Sequence, residues 1–439
     1  MVAPVATSTL NTAPYNCRIM NSQEDLSVRE ALHLVLARVD ILPSESVPLL
    51  DALGRILAAP VSAADDLPPF ANSAMDGYAV RASNVSGASR ESPVTLRVVG
   101  DIAAGADPAL ELTSGTAARI MTGAPLPAGA DAVVPVEDTD EQWRGKERPL
   151  PAVLNVFRAV VAGDYVRYPG EDVRAGEEVL SAGKQIRPQE IGVLASLGIS
   201  HVSIVRRPRV GILATGDELI DVSMPLTKGK IRNSNGYAQA AQVLALGGVP
   251  VQLGVAGDTE AAVREKLDEA VGVGVDLLVS SAGVSVGAYD VVKSVLDEAG
   301  GVSFWRVRMR PGKPLAFGAY RGIPYLGLPG NPVSAMVSFE TFARPAIRKM
   351  AGHSNVERPS VPVIVLEDIR SDGRESYLRA VVTREERGYV AHTTGGQGSH
   401  MMTSLVKANA LVVVPEGVTA VAAGTTLAAL MIDWPGGVF

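Results

Sequence analysis

Three short loops carry residue types suited to holding a phosphate and a divalent cation. Each follows an apolar run that reads as a buried strand. The first is TGDEL, with Thr215, Gly216, Asp217 and Glu218; the second is GDT, with Asp258. The third is SSAGVSVGAYD, with Ser280, Ser281, Gly283, Ser285, Gly287 and Asp290. Ligands of open α/β sheets bind outside the carboxyl ends of the strands, so the loops converge on one edge. Glycines let phosphate oxygens approach backbone N–H groups, and a following helix N-terminus adds partial positive charge. Carboxylates beside such a place could hold Mg²⁺ against those oxygens. The competing reading is that Asp258 and Asp290 cap helices and the glycines serve turns. Neither GxGxxG nor a Walker lysine motif occurs, which disfavours ordinary dinucleotide or P-loop ATP binding.

A second chemistry is cationic. In WRVRMRPGKPLAFG, Arg306, Arg308 and Arg310 alternate, so the spacing predicts one strand face, with Lys313 in the Pro-Gly turn that follows. Three like charges on one face repel unless an anion or acidic partner offsets them. A solvated edge strand protected by charge is the alternative. GLPGNPVSAMVSFE sets a rigid turn before a helix, with Ser334 in its first turn and free to bond an anion there. Two polar turn clusters lie elsewhere: Asn72, Ser73, Met75 and Asp76 in PPFANSAMDGYAV, and Arg167, Glu171 and Asp172 in RYPGEDVRAGE. Each alone reads as an ordinary charged turn.

The elements that must position these residues fall into blocks. Residues 1–22 read as a disordered tail without the basic start and apolar stretch of a signal peptide. SVRE, Ser27 to Glu30, is a capping box opening a helix over 27–42, and a second helical stretch is expected at 51–60. Residues 66–163 read as an inserted, mostly-β subdomain; 23–65 and 164–205 flank it as a discontinuous linker or dimerisation subdomain, with a helix at 187–198. Residues 206–354 alternate strands and helices, which predicts a doubly wound, mostly parallel α/β domain closed by a helix at 333–350. Residues 355–439 carry only strand signals and read as a small β-barrel. The fold class is therefore multidomain α/β plus β.

Composition sets outer limits. The chain has 439 residues, 40 Lys+Arg against 47 Asp+Glu, and a net charge of −7, which argues against nucleic acid as a partner. With one cysteine, no internal disulfide or Cys-based metal site can form, and a reducing, cytoplasmic setting is expected. Apolar runs are too short for a membrane helix. Gly and Pro number 44 and 29, more than an average chain holds, and they have no fixed period.

Together the motifs resemble the molybdopterin molybdotransferase family, which includes the bacterial MoeA proteins and the C-terminal domain of gephyrin. The matching stretches are DLPPFANSAMDGYAVR, RIMTGAPLPAGADAVVPVE, YPGEDVRAGE, GILATGDEL, IRNSNGY, SSAGVSVGAYD, MRPGKPLAFG and GLPGNPVSAMVSF, in the family's order. Ala282 and Arg310 are mild departures, standing where Gly and Lys are common. The resemblance implies an elongated protomer that forms a homodimer. It implies insertion of molybdate into adenylylated molybdopterin, with Mg²⁺-dependent pyrophosphate cleavage releasing molybdenum cofactor and AMP.

Carried onto this sequence, the resemblance gives Thr215, Gly216, Ser280, Ser281, Gly283 and Ser285 as the substrate cradle. Asp290 is the first-choice metal-linked acid, with Asp258, Glu218 and Asp217 as companions. Molybdate falls to Arg310, Lys313, Pro314, Ser334, Arg379 and Ser399; Asp76, Thr122, Arg167 and Asp172 would enter from the partner subunit. A molybdopterin adenylyltransferase and recipient molybdoenzymes are candidate partners. The alternatives are a tungstate-handling paralogue, a scaffold or binding module, and an adenylyltransferase. The last would leave everything outside 206–350 unexplained.

Overall fold

The computed structural model describes residues 25–107, 109–141, 149–281, 288–299 and 301–434. The tail expected at 1–22 lies outside them. The chain divides into two compact units, one of residues 46–204 and one of 25–45 with 205–434.

The larger unit is built on a seven-stranded sheet. Its order is Asp25–Leu26, Val302–Val307, Pro314–Tyr320, Ile323–Leu328, Leu277–Ser281, Arg209–Thr215 and Val249–Ala256. Pairings are parallel except on both sides of Pro314–Tyr320. Helices cover both faces, as a doubly wound sheet requires. On one face Val28–Leu36, Ser234–Ala245 and the segment from Pro332 pack through Ala31, Val35, Ala240, Val243 and Val337. On the other, Glu260–Gly272 and Ala288–Ala299 bury Val263, Leu267, Val292 and Leu296.

The helices start where their caps say. Ser27 Oγ accepts from the Glu30 amide at 3.2 Å, and the Ser27 amide donates to Glu30 Oε2 at 2.8 Å. Thr259 Oγ1 caps Ala262 N at 3.3 Å. The helix expected over 333–350 is instead two helices, Pro332–Ser338 and Arg344–Met350, joined by a wide π turn at Phe339–Ala343. Pro345 has no N–H to give the carbonyl four residues back, and Thr341 Oγ1 donates to Val337 O at 2.9 Å, so the ladder opens there.

Residues 25–45 differ from the sequence reading, which grouped them with 164–205. Their helix is amphipathic, and its apolar stripe meets Phe339, Phe342 and Ile347 in the α/β core. The helix expected at 51–60 is only a 3₁₀ turn, Leu49–Ala52. Gly54, at φ +78°, turns the chain out of helical geometry.

Within the same unit, a barrel closes from Glu375–Glu385, Gly388–Thr393, Ser360–Val365, Thr426–Met431 and Ala410–Val414, the last pairing back to the first. Val363, Val382, Ala391, Val412 and Ala429 fill it. Met309–Arg310 leaves the α/β sheet and pairs with Glu375 and Ser376 on the barrel. The single cationic face expected for Arg306, Arg308 and Arg310 is therefore broken. Strand Val302–Val307 ends in one sheet, and Arg310 begins in another. Arg308 lies between them, its guanidinium on Glu416 and on the Asp25 carbonyl.

The smaller unit carries a five-stranded sheet ordered Ala132–Pro135, Gly77–Val80, Thr116–Ile120, Val94–Ile102 and Val153–Val156. Short ladders join Val61–Ser62 to Glu178–Leu180, and Asn72–Ser73 to Val166–Arg167. Helix Pro188–Ser196 begins with Pro at its first position.

One titration follows from the packing behind Arg344–Met350. Burial, then the charges of Arg348 and Arg344, pull the His353 imidazole down to about 4. The folded state refuses a proton that the unfolded chain takes at the usual 6.5, so stability is full above that pH and is lost as pH falls toward about 4. Urea unfolding at stepped pH should show this loss, and His353→Asn should flatten it. An unchanged slope in the variant would assign the acid sensitivity elsewhere.

Candidate functional site

Four parallel strands, Ile323–Leu328, Leu277–Ser281, Arg209–Thr215 and Val249–Ala256, end at one edge of the sheet. A cleft of about 900 Å³ opens there. Ten sequence-predicted residues line it: Thr215, Gly216, Glu218, Asp258 and Ser281 from the strand ends, with Arg310, Lys313, Pro314, Ser334 and Ser399 from other loops.

Thr215 is the last residue of its strand. It is 2% exposed, and its Oγ1 has no hydrogen-bond partner in the protein. A buried hydroxyl on a cleft wall without a partner fits a site meant to be completed by a polar ligand. Ser281 ends the neighbouring strand and also faces the cleft. Ser280 does not, because successive side chains on a strand point to opposite faces. Its hydroxyl bonds the Tyr325 hydroxyl inside the core, where burial pushes that phenol up to about 12.

The acidic side is organised by backbone. Asp217 N donates to Asp258 Oδ2 at 3.3 Å, and Asp258 N donates to Asp217 Oδ1 at 3.2 Å. This reciprocal pair clamps the two loops together. Glu218 folds over Gly216, where a Cβ would stand 2.5 Å from Glu218 Oε2 and 2.7 Å from Oε1. Only glycine leaves that carboxylate its place. Glu218 and Asp258 line the cleft, while Asp217 serves the clamp. Among the described residues, no group of three or more His, Cys, Asp or Glu is placed to hold a metal ion. Two carboxylates still suit Mg²⁺, which takes one or two protein carboxylates and completes its shell with substrate phosphate and water. Asp290 stands in the first turn of helix Ala288–Ala299; its side chain, with Gly283 and Ser285, lies outside the described residues.

On the cationic side, Arg310 and Lys313 are exposed. Arg310 lies 3.7 Å from Asp372, whose carboxylate is already held by Arg374 at 2.5 and 3.1 Å. Arg310 thus keeps most of its donors for the cleft. Arg379 departs from the expectation. It is 1% exposed and does not line the main cleft; its guanidinium donates to Ser404 Oγ, Gly396 O and Gly398 O at 3.0–3.4 Å. Burial, then the charge of Arg310, lowers its pKa. It borders a smaller cavity of about 170 Å³ that shares Arg310, Pro311 and Gln397 with the cleft. Its immediate work is to hold the loop that carries Ser399.

Several lining residues were not singled out from sequence. Asn233, Ser234 and Asn235 open helix Ser234–Ala245 into the cleft, and Asn331, Arg374, Gln397 and His400 join them. Asn233 Oδ1 caps Gly236 N at 2.9 Å. The asparagines sit in IRNSNGY, a motif quoted for the resemblance, but it follows no long strand and so escaped the strand-end rule.

Asp76, Thr122, Arg167 and Asp172 belong to the smaller unit and are all exposed. Thr122 N and Oγ1 both donate to Asp76 Oδ1 at 2.8 Å. Arg167 pairs with Asn72 in a ladder, and Asp172 N bonds Leu67 O at 3.0 Å.

Residues 26–198 match the MoeA N-terminal region (domains I and II), 211–349 a probable molybdopterin binding domain, and 362–432 the MoeA C-terminal region (domain IV). A molybdopterin molybdenumtransferase 2 of Mycobacterium tuberculosis is 40% identical over 408 residues, covering 91% of this chain and 98% of its own length. The molybdopterin molybdenumtransferase of Bacillus subtilis is 36% identical over 405 residues, 89% of this chain and 92% of its own. A crystal structure of a molybdopterin biosynthesis MoeA protein from Pyrococcus horikoshii superposes with a TM-score of 0.78 at 30% identity, covering 94% of this chain and all of that one. With family matches in order along the chain and relatives alike over nearly their whole length, this chain belongs to the MoeA family of molybdopterin molybdenumtransferases.

Proposed function

We propose that this protein acts in molybdenum cofactor biosynthesis by inserting molybdate into adenylylated molybdopterin. Pyrophosphate cleavage then releases molybdenum cofactor and AMP. One observation carries the reading: a single cleft is lined by an unpartnered threonine hydroxyl, two carboxylates and an Arg–Lys pair.

Each part has a task. Thr215 and Ser281 donate to phosphate oxygens, and the N-terminus of helix Ser234–Ala245 favours their charge. Arg310, Lys313 and Ser334 receive the tetrahedral oxyanion, with Ser399 and the backbone at Pro314 beside them. Glu218 and Asp258, with Asp290 on the adjoining helix, are the residues that would hold Mg²⁺. When bound, that ion supplies charge neutralisation at the pyrophosphate. Keeping the carboxylates on one wall and the cations on the other prevents the acids from occupying the oxyanion's donors. Asp76, Thr122, Arg167 and Asp172 of a second copy complete the site in the proposed homodimer. No described helix is long and apolar enough to cross a membrane.

The test is direct. Purified protein receives adenylylated molybdopterin, Mg²⁺ and molybdate, and AMP is followed. Absence of molybdate-dependent AMP would sink the reading. Lys313→Ala removes one exposed charge from the oxyanion wall, worth about 1.5–2.5 kcal/mol as a charge-assisted bond, so half-saturating molybdate should rise roughly 10–70-fold. An unchanged requirement would take Lys313 out of that wall.

A further inference from the structure

From Asn235 on the cleft wall, a polar seam that the proposed chemistry does not use runs inward along one helix. Asn235, Gln239 and Gln242 are spaced four and three apart on helix Ser234–Ala245, so they share one stripe. The ends of that stripe show what it faces. Asn235 Nδ2 donates to Gly330 O at 2.8 Å, and Gln242 Nε2 donates to Met336 O at 3.3 Å and Glu340 Oε1 at 2.8 Å. The next stripe, Ala240 and Val243, packs into the apolar core.

Gln239 sits between them, 0% exposed, with neither Nε2 nor Oε1 partnered. Asn235 Oδ1 and Gln242 Oε1 are buried and unpartnered as well. Four orphaned polar atoms on one helical stripe are more than chance packing tolerates, since each costs about 1–3 kcal/mol when left dry. Their chemistry is complementary: Gln239 brings one donor and one acceptor, flanked by two further acceptors. Internal water, which commonly makes two to four bonds to such groups, suits the seam.

We propose that Gln239 is a positioning residue for the cleft. Through internal water it bridges Asn235 and Gln242, which fixes Asn235 on the Gly330 carbonyl. Gly330 begins the turn that carries Asn331 and Ser334 to the cleft wall. Gln239 itself touches no substrate. It sets the turn that does. The activity arm of the test rests on the reading of Ser334 as an oxyanion donor; the exchange arm does not.

Gln239→Met keeps volume and helix propensity and removes both polar atoms. In the full chain, hydrogen exchange of the amides at 330, 331 and 333–335 should quicken about 10-fold, as expected for loss of one bridging bond, while strand Arg209–Thr215 stays unchanged. The KM for molybdate should rise several-fold with kcat held. In an Asn235→Ala background, Gln239→Met should add little to either readout. Unchanged exchange at the turn overturns the proposal, and so does full additivity of the two substitutions. Should Gln239→Met fail to fold, Gln239→Leu removes the same two polar atoms in a similar volume and must speed the same amides. If the wild type shows no molybdate-dependent turnover, the functional reading falls while exchange still decides Gln239.

Discussion

Gly312→Ala should cut the molybdate-dependent rate at low molybdate by roughly 100-fold while leaving the protein folded. Gly312 has φ +109°, a conformation that side chains other than glycine rarely take. It is also buried, and an added Cβ would collide with Ser338 Oγ and stand 3.4 Å from Met309 Cε. Strain of about 1–3 kcal/mol adds to overpacking of similar size. The chain relieves both by moving the loop, and that loop holds Arg310 on one side of Gly312 and Lys313 on the other. Val307 N anchors the loop to Lys313 O at 2.8 Å, so the displacement falls on the cationic wall rather than on the sheet. Steady-state AMP release against molybdate measures the effect, and thermal unfolding verifies the fold. Gly312→Ala combined with Ser338→Gly removes the collision and keeps the φ penalty. It should therefore recover only part of the loss. Full recovery would make the collision the whole cause, and wild-type rates in Gly312→Ala would show that the loop does not set oxyanion binding.

The turn at Gly312 illustrates what the sequence makes visible. Loops after buried strands were readable because topology fixes which strand ends carry ligands. Thr215, Gly216, Glu218, Asp258 and Ser281 accordingly meet on one edge. The RPGKP and LPGNP turns were readable because proline and glycine restrict backbone so strongly. Parity was not readable. A strand buried on both faces shows no alternation of polarity, so Ser280 and Ser281 looked alike, yet one bonds Tyr325 in the core and the other faces the cleft. Arginine spacing misled for a related reason. A period of two predicts one face only while the strand stays in one sheet, and the chain changes sheets between Val307 and Met309. Arg379, expected at molybdate, instead spends its guanidinium on a loop, because it can serve three oxygen acceptors there as readily as an oxyanion. The net charge of −7 also sharpened: it hides cations that line the same cleft as two carboxylates.

The stability of that cleft's outer support rests on one carboxylate. Glu340 Oε2 accepts from Arg358 Nε at 2.7 Å and lies 3.7 Å from Arg344 Nε, while Oε1 accepts from Gln242. Burial, then the charge of Arg358, brings Arg344 down to about 10, and the same two causes lower Arg348. Two arginines, Arg344 and Arg358, therefore crowd one acid in a place shielded from water, with Arg348 near Arg358; the Arg344 side chain is only 8% exposed. Glu340→Gln keeps the shape and deletes the charge. Breaking one partner out of a buried ionic cluster costs about 3–5 kcal/mol, because the remaining cations stay desolvated without compensation. Urea unfolding followed by Trp305, which lies in the same apolar core, should show a loss of that size. A double substitution, Glu340→Gln with Arg344→Met, removes the stranded charge and should regain a large share of it. The double variant distinguishes charge from shape. If it is no more stable than Glu340→Gln alone, the cost lies in lost hydrogen bonds to Arg358 and Gln242. If it recovers, the carboxylate is there to neutralise a buried cation, and the arginines are there for the carbonyls they hold: Val356 for Arg344, Asn355 for Arg348, and Met431 and Ile432 for Arg358. Those carbonyls belong to the linker into the barrel and to the end of its last strand. Neutralisation by Glu340 is thus what lets Arg344 and Arg358 fasten the barrel, with Ser399 on its loop, beside the strand ends that form the cleft.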